Sequence, residues 1–363
     1  MKILFCVDIL DKSKPIEECL DLACWLISQG HQVWIAGKQG NLGEKTELAG
    51  CGRVMVRNWQ DCHFIYHELL ELAQKEKFDR VHLFSFYTYF PGYLVAKELK
   101  IPYFISVFDL TYFAYWQAFR WKSVFLKDYL LKEASCVFVP SSEIKEKLYK
   151  LRWVSLNQCE VIFPWARFVS NQKSRDLNVN SLQMLYVGRL DQDQKKAVLG
   201  VLRFFLKMKK NFHPEMTLKI LGQGEIEKAV EKRLSEINFL LKDKCLFWSS
   251  QKKILRREIE ASCCFLGRGK IILEALRAEK PVLLVNEQGP LTWIYPDILE
   301  QAANGLFSGA GLAAQEPDEI YRNGIDAKVK DLSLISRKIG ACFSVDPQYR
   351  KILKQYKKPI LYK

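Results

Sequence analysis

The chain has 363 residues, 49% of them hydrophobic and 26% charged, a composition that is typical of globular proteins and excludes a disordered, collagenous or coiled-coil chain. The formal net charge is +14, and residues 171–363 hold 34 Lys and Arg against 22 Asp and Glu. This positive field favours an anionic partner, which can be a diphosphate, a phospholipid surface or nucleic acid.

The sequence disfavours both a membrane span and export. The longest stretch without a formal charge, residues 81–96, is too short to cross a bilayer and contains Pro91 and Gly92. The start MKILFCVD reaches Asp8 before a signal-peptide core can form. The 11 cysteines are odd in number and form no C-x-x-C pair, which is typical of reduced thiols. We therefore expect a cytoplasmic protein.

Strands and helices alternate along the first half of the chain. Short apolar runs predict strands at residues 2–7, 31–37, 53–56, 80–85, 102–108 and 136–139. Helical periodicity covers residues 15–28, about 61–75 and roughly 112–133, and Ser141 and Ser142 can cap one more helix. Alternation with short links indicates a parallel sheet covered on both faces.

The same alternation restarts after a polar linker at residues 167–181. Its apolar runs are LQMLYV, MTLKIL, CLFW, CCFL and PVLLV, with helical segments between them. We therefore predict an α/β fold of two Rossmann-like parallel-sheet domains that face each other across a cleft. The expected domains are residues 1–170 and 181–339, and a basic helical segment at about 340–363 is expected to cross back to the first domain.

Ligands bind at the carboxyl ends of strands in open parallel sheets, and four strand ends of the second half carry unusual turns. In VGRLDQDQKKAV, Arg189 follows the strand and Lys195 and Lys196 begin a helix, where cations can neutralise a phosphate. In LGQGE, Gly222 and Gly224 allow the backbone to approach a ligand closely.

The other two strand ends offer a platform for a base and a site for an anion. Trp248 ends the run CLFW, where a nucleobase could rest. In FLGRGKIILEAL, Gly267 and Gly269 form a strand-to-helix turn whose N–H groups and helix dipole favour an anion. Glu274, about one and a half turns later, can accept two hydrogen bonds from ribose hydroxyls. Each of these features alone often serves only to form a turn or a surface. Their order and spacing together are more specific evidence for a ligand site.

These segments resemble glycosyltransferase family 4, the retaining, nucleotide-sugar-dependent enzymes of GT-B fold. The resemblance covers nearly the whole chain and is strongest over residues 184–285. It is carried by MLYVGRLD, LKILGQGE and GRGKIILEALRAEKPVLL, with VFVPSSEIKEKL and CEVIF at the end of the first domain. It implies a hexosyltransferase that moves a sugar, with retention, from a nucleoside-diphosphate sugar (a UDP-sugar above all) to a hydroxyl of a glycan, lipid or small molecule.

The resemblance also implies roles for individual residues. Arg189 and one lysine of the 195–196 pair would bind the donor diphosphate, and Glu274 would hold the ribose. The N–H groups of Gly269 and Lys270 would cradle phosphate or sugar oxygens. The implied donor-binding set is Gly188, Arg189, Lys195, Lys196, Gly222, Gly224, Trp248, Gly267, Arg268, Gly269, Lys270 and Glu274, and the catalytic set is Arg189, Lys195 and Asp109. Cations fixed at the departing diphosphate lower the barrier, and no metal, further cofactor or protein nucleophile is implied.

Three positions depart from the family pattern. The first glutamate of the Glu-(seven residues)-Glu motif is Leu266 here, and the histidine that precedes Asp109 is Phe108. The glycine-rich loop after the first strand is replaced by DILDKSKPI. Two hypotheses follow. The enzyme is active and uses Arg268 and Lys270 to accept an anionic or differently substituted sugar, or the protein is catalytically degenerate and only binds a nucleotide sugar.

Further alternatives keep the fold and change the chemistry or the partner. An inverting GT-B transferase or a sugar-nucleotide epimerase needs a placed base or acid, for which Asp8, Asp11 and Asp109 are candidates. Residues 111–132 combine aromatic residues with cations, which fits a peripheral contact with the inner face of a membrane or packing along the sheet and acceptor cleft. Nucleic-acid binding is not expected, because no such module is present and a diphosphate explains the basic turns better.

Overall fold

The computed structural model describes residues 1–9, 14–38, 50–55, 62–108, 110, 124–164, 182–250, 255–309, 312–315, 320 and 332–359. The chain divides into two compact units. The first is formed by Met1–Ile162 with Tyr349–Lys363, and the second by Phe163–Gln348. Each unit has its own sheet, so the predicted α/β class with two Rossmann-like sheets is confirmed.

The sheet of the first unit has seven strands among the described residues, and each is parallel to its neighbours. They are β1 (Lys2–Ile9), β2 (Gln32–Lys38), β3 (Gly52–Met55), β4 (Arg80–Leu83), β5 (Tyr103–Ser106), β6 (Cys136–Val139) and β7 (Cys159–Val161). Their spatial order is β3-β2-β1-β4-β5-β6-β7. Strands β5 and β6 are buried at every residue, as expected for a parallel sheet covered on both faces.

Helices and short helical turns connect these strands. The α-helices are α1 (Lys14–Ser28), α2 (Cys62–Glu76), α3 (Tyr89–Glu98) and α4 (Ser142–Lys150). The predicted cap of α4 is confirmed, because the Ile144 N–H donates to Ser141 Oγ at 3.2 Å. Helix α3 escapes prediction because Pro91 and Gly92 disfavour a helix. Pro91 is tolerated in its first turn, where a backbone N–H has no helical acceptor.

Only the end of the aromatic segment that we predicted as a helix over roughly 112–133 belongs to the described residues. Residues 124–133 are helical, with a π-helical stretch at Phe125–Leu131 whose leucines 126, 130 and 131 are buried. The Phe125 ring contacts the rings of Phe90 and Tyr93 in α3 at 5.1 and 5.4 Å between centroids. This end therefore packs against α3, and the membrane contact of residues 111–132 stays a prediction.

A buried polar network joins the last helix, Val345–Tyr356, to the first sheet. Tyr356 is fully buried, and its hydroxyl lies 2.5 Å from Nδ1 of the fully buried His82. His82 Nε2 lies 2.9 Å from Ser106 Oγ, and the Tyr89 hydroxyl donates to the Ser106 carbonyl at 2.8 Å. Burial holds the pKa of His82 well below its ordinary value of 6.5, so its ring is neutral in the folded protein.

We expect the stability of the protein to fall as the pH drops below about 6.5, with a contribution from His82 of up to ~1.4 kcal/mol per pH unit. Below that pH the unfolded chain binds a proton at His82 that the folded chain excludes, which favours unfolding. Urea unfolding between pH 7.5 and pH 5.5 measures this slope. The variant His82→Gln, which cannot titrate, is expected to have a shallower slope, and equal slopes would contradict the assignment.

The sheet of the second unit comprises six strands among the described residues, in the order β10-β9-β8-β11-β12-β13. They are β8 (Gln183–Val187), β9 (Thr217–Leu221), β10 (Leu246–Ser249), β11 (Cys264–Gly267), β12 (Val282–Asn286) and β13 (Gly289–Trp293). All neighbours are parallel except β12 and β13, which form an antiparallel hairpin that the sequence pattern did not predict. The order reverses between β8 and β11, where open α/β sheets bind ligands.

The helices of the second unit follow the predicted alternation. They are α5 (Lys195–Asn211), α6 (Glu227–Leu241), α7 (Leu255–Ala261), α8 (Ile271–Arg277), α9 (Leu299–Asn304) and α10 (Leu332–Cys342), and α11 (Val345–Tyr356) is the last helix. Helix α5 buries one apolar stripe that includes Val201, Phe205 and Met208 against the sheet. Across the described part of the chain, no helix has the length and apolar character needed to span a bilayer.

Candidate functional site

A cavity of about 800 Å³ opens in the second unit at the carboxyl ends of β8 and β11. Its wall is formed by Tyr186, Val187, Gly188, Arg189, Asp193, Gln194, Leu221, Gln223, Leu255, Arg268, Gly269, Ile271, Asn286, Glu287, Gln288, Leu306, Ser308 and Gly309. The volume lies within the range of small-molecule sites. The two turns that the sequence singled out, after β8 and after β11, therefore meet at one cavity.

The turn after β8 is held by backbone hydrogen bonds to the neighbouring strand end. The Gly188 N–H donates to the Leu221 carbonyl at 3.2 Å, and the Leu190 N–H donates to the Gln223 carbonyl at 2.9 Å. Arg189 projects between these anchored residues with 83% of its side chain exposed, and its guanidinium pairs with the Asp191 carboxylate. A cation is thus present at the cavity in an accessible position, where an anionic ligand can reach it.

The turn after β11 is tied by a hydrogen bond to the segment that follows α9. Gly269 lies in the wall with φ +76°, a left-handed conformation that favours glycine. Its N–H donates to the Phe307 carbonyl at 2.9 Å. The expected role of the N–H in cradling phosphate stays a prediction. The neighbouring Arg268 side chain lines the cavity.

Gly222 lies beneath the cavity rather than in its wall. A Cβ on Gly222 would come within 2.2 Å of the Gly188 carbonyl oxygen, so the two strand-end turns approach more closely than any side chain allows. Gly224 makes a similar approach, since its Cβ would lie 2.3 Å from the Leu190 carbonyl oxygen. These glycines position the turn that carries Arg189.

We expect Gly222→Ala to lower the free energy of unfolding by about 1–3 kcal/mol and to weaken ligand binding, because the Gly188 turn must move to admit the methyl group. Urea unfolding and calorimetric titration of nucleotide measure the two effects. The matched control is Gly30→Ala, at a glycine with nothing within 4 Å of the added Cβ but a φ of +80°, so it reports backbone strain without a clash. Unchanged nucleotide affinity in Gly222→Ala would contradict the positioning role.

Trp248 packs against the core of the second unit and donates its indole N–H to the Gly222 carbonyl at 3.3 Å. Among the described residues that form the cavity wall, Trp248 is absent, and the remaining predicted donor-site residues are absent as well. Those are Lys195, Lys196, Gly222, Gly224, Gly267, Lys270 and Glu274. Lys195 and Lys196 are exposed at the start of α5, and Glu274 is half-buried in α8, one turn beyond the cavity residue Ile271. Their roles stay predictions.

The cavity is also lined by two segments that the sequence patterns did not single out. One is the hairpin turn at residues 286–288, where Asn286 Oδ1 accepts the N–H groups of Gln288 at 2.8 Å and Gly289 at 3.1 Å. The other follows α9, where Leu306 and Phe307 both have left-handed backbones, with φ +55° and +54°. Such strain at non-glycine residues is concentrated at functional sites. The sequences NEQG and NGLFSG contain turn-forming residues, and they are the local pattern that indicates a turn in each segment.

Charge and burial shape the chemistry of the wall. Arg189 and Arg268 supply positive charge, and Asp193 and Glu287 supply negative charge. Burial raises the pKa of Tyr186 to about 12, and the charge of Arg268 only partly offsets this. The Tyr186 hydroxyl therefore keeps its proton at neutral pH. Among the described residues, no group of three or more His, Cys, Asp and Glu side chains is arranged to hold a metal ion.

The candidate residues of the first unit are only partly described. Asp8 is the penultimate residue of β1, and its N–H donates to Ser85 Oγ at 3.1 Å. Burial raises the pKa of the Asp8 carboxyl, and Lys38 partly offsets the shift. Asp11 and Asp109 lie outside the described residues. In the second unit, Leu266 is fully buried in the core, so the register at that position directs the side chain away from the cavity.

Comparisons with known proteins agree with this architecture. The sequence profile described as Glycosyltransferase Family 4 matches residues 19–165. A glycosyltransferase of Rickettsia africae has a similar structure, with a TM-score of 0.67 at 16% identity over 98% of this chain and 97% of its own. Anabaena HepE in complex with UDP gives a TM-score of 0.68 at 13% identity, over 98% and 99% of the two chains.

A third similar structure is the lipopolysaccharide outer core galactosyltransferase WaaB, with a TM-score of 0.65 at 13% identity over 98% and 99% of the two chains. No curated protein matches the sequence. At these identities the structural likeness establishes the fold alone, which is GT-B, and the profile match covers most of the first unit. The chain thus has the GT-B fold, and its first unit resembles glycosyltransferase family 4 in sequence.

Proposed function

We propose that the cavity of the second unit binds the nucleoside diphosphate of a UDP-sugar and that the enzyme transfers the sugar, with retention and without a metal ion, to a hydroxyl acceptor. The observation that carries this proposal is the presence of Arg189 and Arg268 in one cavity at the switch point of the second sheet. The HepE structures, which contain UDP, UDP-glucose, or UDP with glucose, support the choice of uridine.

The proposed chemistry uses the charge that develops on the leaving group. As the bond between the anomeric carbon and the diphosphate oxygen breaks, negative charge grows on that oxygen, and Arg189 with Lys195 interacts more strongly with it than with the intact donor. The acceptor hydroxyl attacks from the face that the diphosphate leaves, and a phosphate oxygen takes its proton. Glu274 would hold the ribose hydroxyls. The acceptor is a glycan, lipid or small molecule, and we place the enzyme in the cytoplasm.

A panel of nucleotides and nucleotide sugars in a thermal-shift assay tests the donor site. A ligand that binds only the folded protein raises its stability by RT ln(1 + [L]/Kd). We expect UDP and one UDP-sugar to raise the melting temperature and Glu274→Ala to remove the shift. Turnover with that donor in the presence of EDTA then tests metal independence. Tight binding without turnover of any donor would favour the catalytically degenerate alternative, which the buried Leu266 motivates.

The half-buried Asp8 carboxylate, with its raised pKa, supports a second candidate: an inverting transferase or an epimerase in which Asp8 acts as the base. The anomeric configuration of the product separates the two, because a direct displacement by a base-activated acceptor inverts it. Retention in the product, together with activity in Asp8→Asn, would exclude this candidate.

A further inference from the structure

The carboxyl-terminal end of α6 exposes large apolar side chains to an unusual degree. Phe239 is 83% exposed and Leu240 is 75% exposed, and Leu241 follows at 43%. The other exposed large hydrophobic residues of the described chain reach at most 49%. We call residues 239–244 the apolar tip. Isolated exposed apolar residues are ordinary, whereas adjacent and almost fully exposed ones indicate a surface that binds something.

The fold holds the tip away from the core. Helix α6 buries Val230, Leu234 and Ile237 on its inner face and ends at Leu241. The next residue, Lys242, caps the helix with a left-handed backbone of φ +50°. The Asn238 side chain accepts the two backbone N–H groups at the start of β10, at 3.1 and 2.9 Å, and donates to a β10 carbonyl at 2.8 Å. These bonds fix the reversal of the chain, so residues 239–244 project from the surface as a built feature.

Cations surround the apolar residues of the tip. Lys242 and Lys244 belong to it, and the exposed Lys210 is the penultimate residue of helix α5. The Lys209 ammonium lies 2.8 Å from the Asp243 carboxylate, which neutralises that acid and joins the ends of α5 and α6. In the described part of the chain, no carboxylate lies within ion-pair distance of Lys210, Lys242 or Lys244. The tip therefore combines exposed apolar side chains with lysines that no carboxylate of the described residues neutralises.

This combination fits an anionic bilayer better than a protein. Phenylalanine and leucine side chains enter the acyl region while nearby lysines meet lipid phosphates, and a fluid bilayer needs no complementary shape. If the partner were a second copy of this chain, the same three lysines of each copy would face one another. A stable protein interface needs about 800 Å² from each partner, which six residues at the end of one helix do not supply.

We propose that the apolar tip docks the enzyme on a membrane surface that contains anionic phospholipid. The tip lies at the amino-terminal edge of the second sheet, because α6 runs antiparallel to the strands that it connects. The cavity lies at the opposite, carboxyl-terminal edge. A docked enzyme keeps the cavity mouth away from the bilayer and open to a soluble nucleotide. This docking does not depend on which donor the cavity takes.

Sedimentation of the full chain with phospholipid vesicles tests the proposal. The wild type is expected to bind vesicles of phosphatidylcholine with about one third phosphatidylserine, to bind pure phosphatidylcholine about tenfold more weakly, and to lose affinity in about 0.5 M NaCl. The variant Phe239→Ser with Leu240→Ser should bind the anionic vesicles at least about tenfold more weakly. Leu151→Ser with Leu156→Ser removes two exposed leucines of the first unit and should leave binding within about twofold.

Charge is tested separately. Lys242→Glu with Lys244→Glu should abolish binding to anionic vesicles, whereas Lys228→Glu with Lys232→Glu makes the same charge change in the first half of α6 and should change binding by no more than about threefold. The variant Phe239→Trp keeps an aromatic side chain at the tip. Bromine-labelled acyl chains should quench its added fluorescence, which provides a measurement that does not depend on removing apolar residues.

Several outcomes would overturn the proposal. Undiminished binding by both tip variants would assign vesicle binding to another surface, such as residues 111–132. A dimer in analytical ultracentrifugation that Phe239→Ser with Leu240→Ser dissociates would make the tip an interface between copies. Absence of vesicle binding by the wild type would also exclude membrane docking. Nucleotide thermal shifts, measured on the same samples, report the donor site independently of these results.

Discussion

Replacing Arg189 with alanine is expected to lower kcat/KM for the preferred UDP-sugar by about 100-fold or more. The guanidinium lies in the cavity wall and is 83% exposed, so little folding stability depends on it. In the proposed mechanism, its loss removes a fixed positive charge from the place where the departing diphosphate gains negative charge. Because that charge is greater in the transition state than in the bound donor, kcat should fall more than KM rises. Steady-state kinetics with varied donor measure both parameters.

Arg203→Ala is the matched control, because Arg203 is an exposed arginine of α5 outside the cavity wall. It should leave kcat/KM within about twofold, since surface substitutions away from a site are nearly neutral. Both variants should unfold at the same temperature as the wild type without nucleotide. Equal losses in the two variants would show that net charge, rather than position, governs turnover.

Tyr356→Ala is expected to destabilise the protein by about 3–5 kcal/mol, which is the usual loss for truncating a large buried aromatic side chain. Tyr356 is completely buried, and its ring lies 4.7 Å from Phe104 and 6.4 Å from Phe138 between centroids. The substitution removes those contacts and leaves His82 Nδ1 without its partner. Urea unfolding at neutral pH measures the change in the free energy of unfolding.

Tyr149→Ala is the control for this measurement, because Tyr149 lies on α4 with 49% of its surface exposed and should lose less than about 1 kcal/mol. Tyr356→Phe separates the hydrogen bond from the packing. It should cost about 1–3 kcal/mol, the penalty for leaving a buried polar atom unsatisfied. Destabilisation of Tyr356→Ala no greater than that of Tyr149→Ala would mean that the last helix is not needed for the first sheet.

Sequence reasoning succeeded where the controlling interactions are local. Most strands of both units were predicted within two or three residues because continuous apolar runs and flanking turns depend only on neighbours in the chain. The Ser141 cap is a three-residue interaction and was predicted with its partner helix. Arg189 and Arg268 were placed at one site because strand ends of a parallel sheet share an edge, and both line the cavity.

Sequence patterns do not reveal contacts between segments that are distant in the chain. The Gly269 N–H is occupied by the Phe307 carbonyl, which is 38 residues away and follows a different helix. The hairpin at residues 286–288 enters the cavity wall only because β13 turns back antiparallel to β12. The direction of the Trp248 indole depends on how β10 pairs with β9, and its N–H donates to the Gly222 carbonyl. Its role as a platform for a base stays a prediction.

The burial of Tyr349 and Tyr356 in the first unit has a consequence for the order of events during synthesis. The ribosome makes residues 1–162 first, yet the core of that unit lacks two fully buried tyrosines until the final residues of the chain have emerged. Since domains fold as their sequence becomes complete, the second unit can finish first although it is translated later. A chain truncated after Gln348, which contains all of the second unit and lacks both tyrosines, should therefore protect the second unit from protease better than the first.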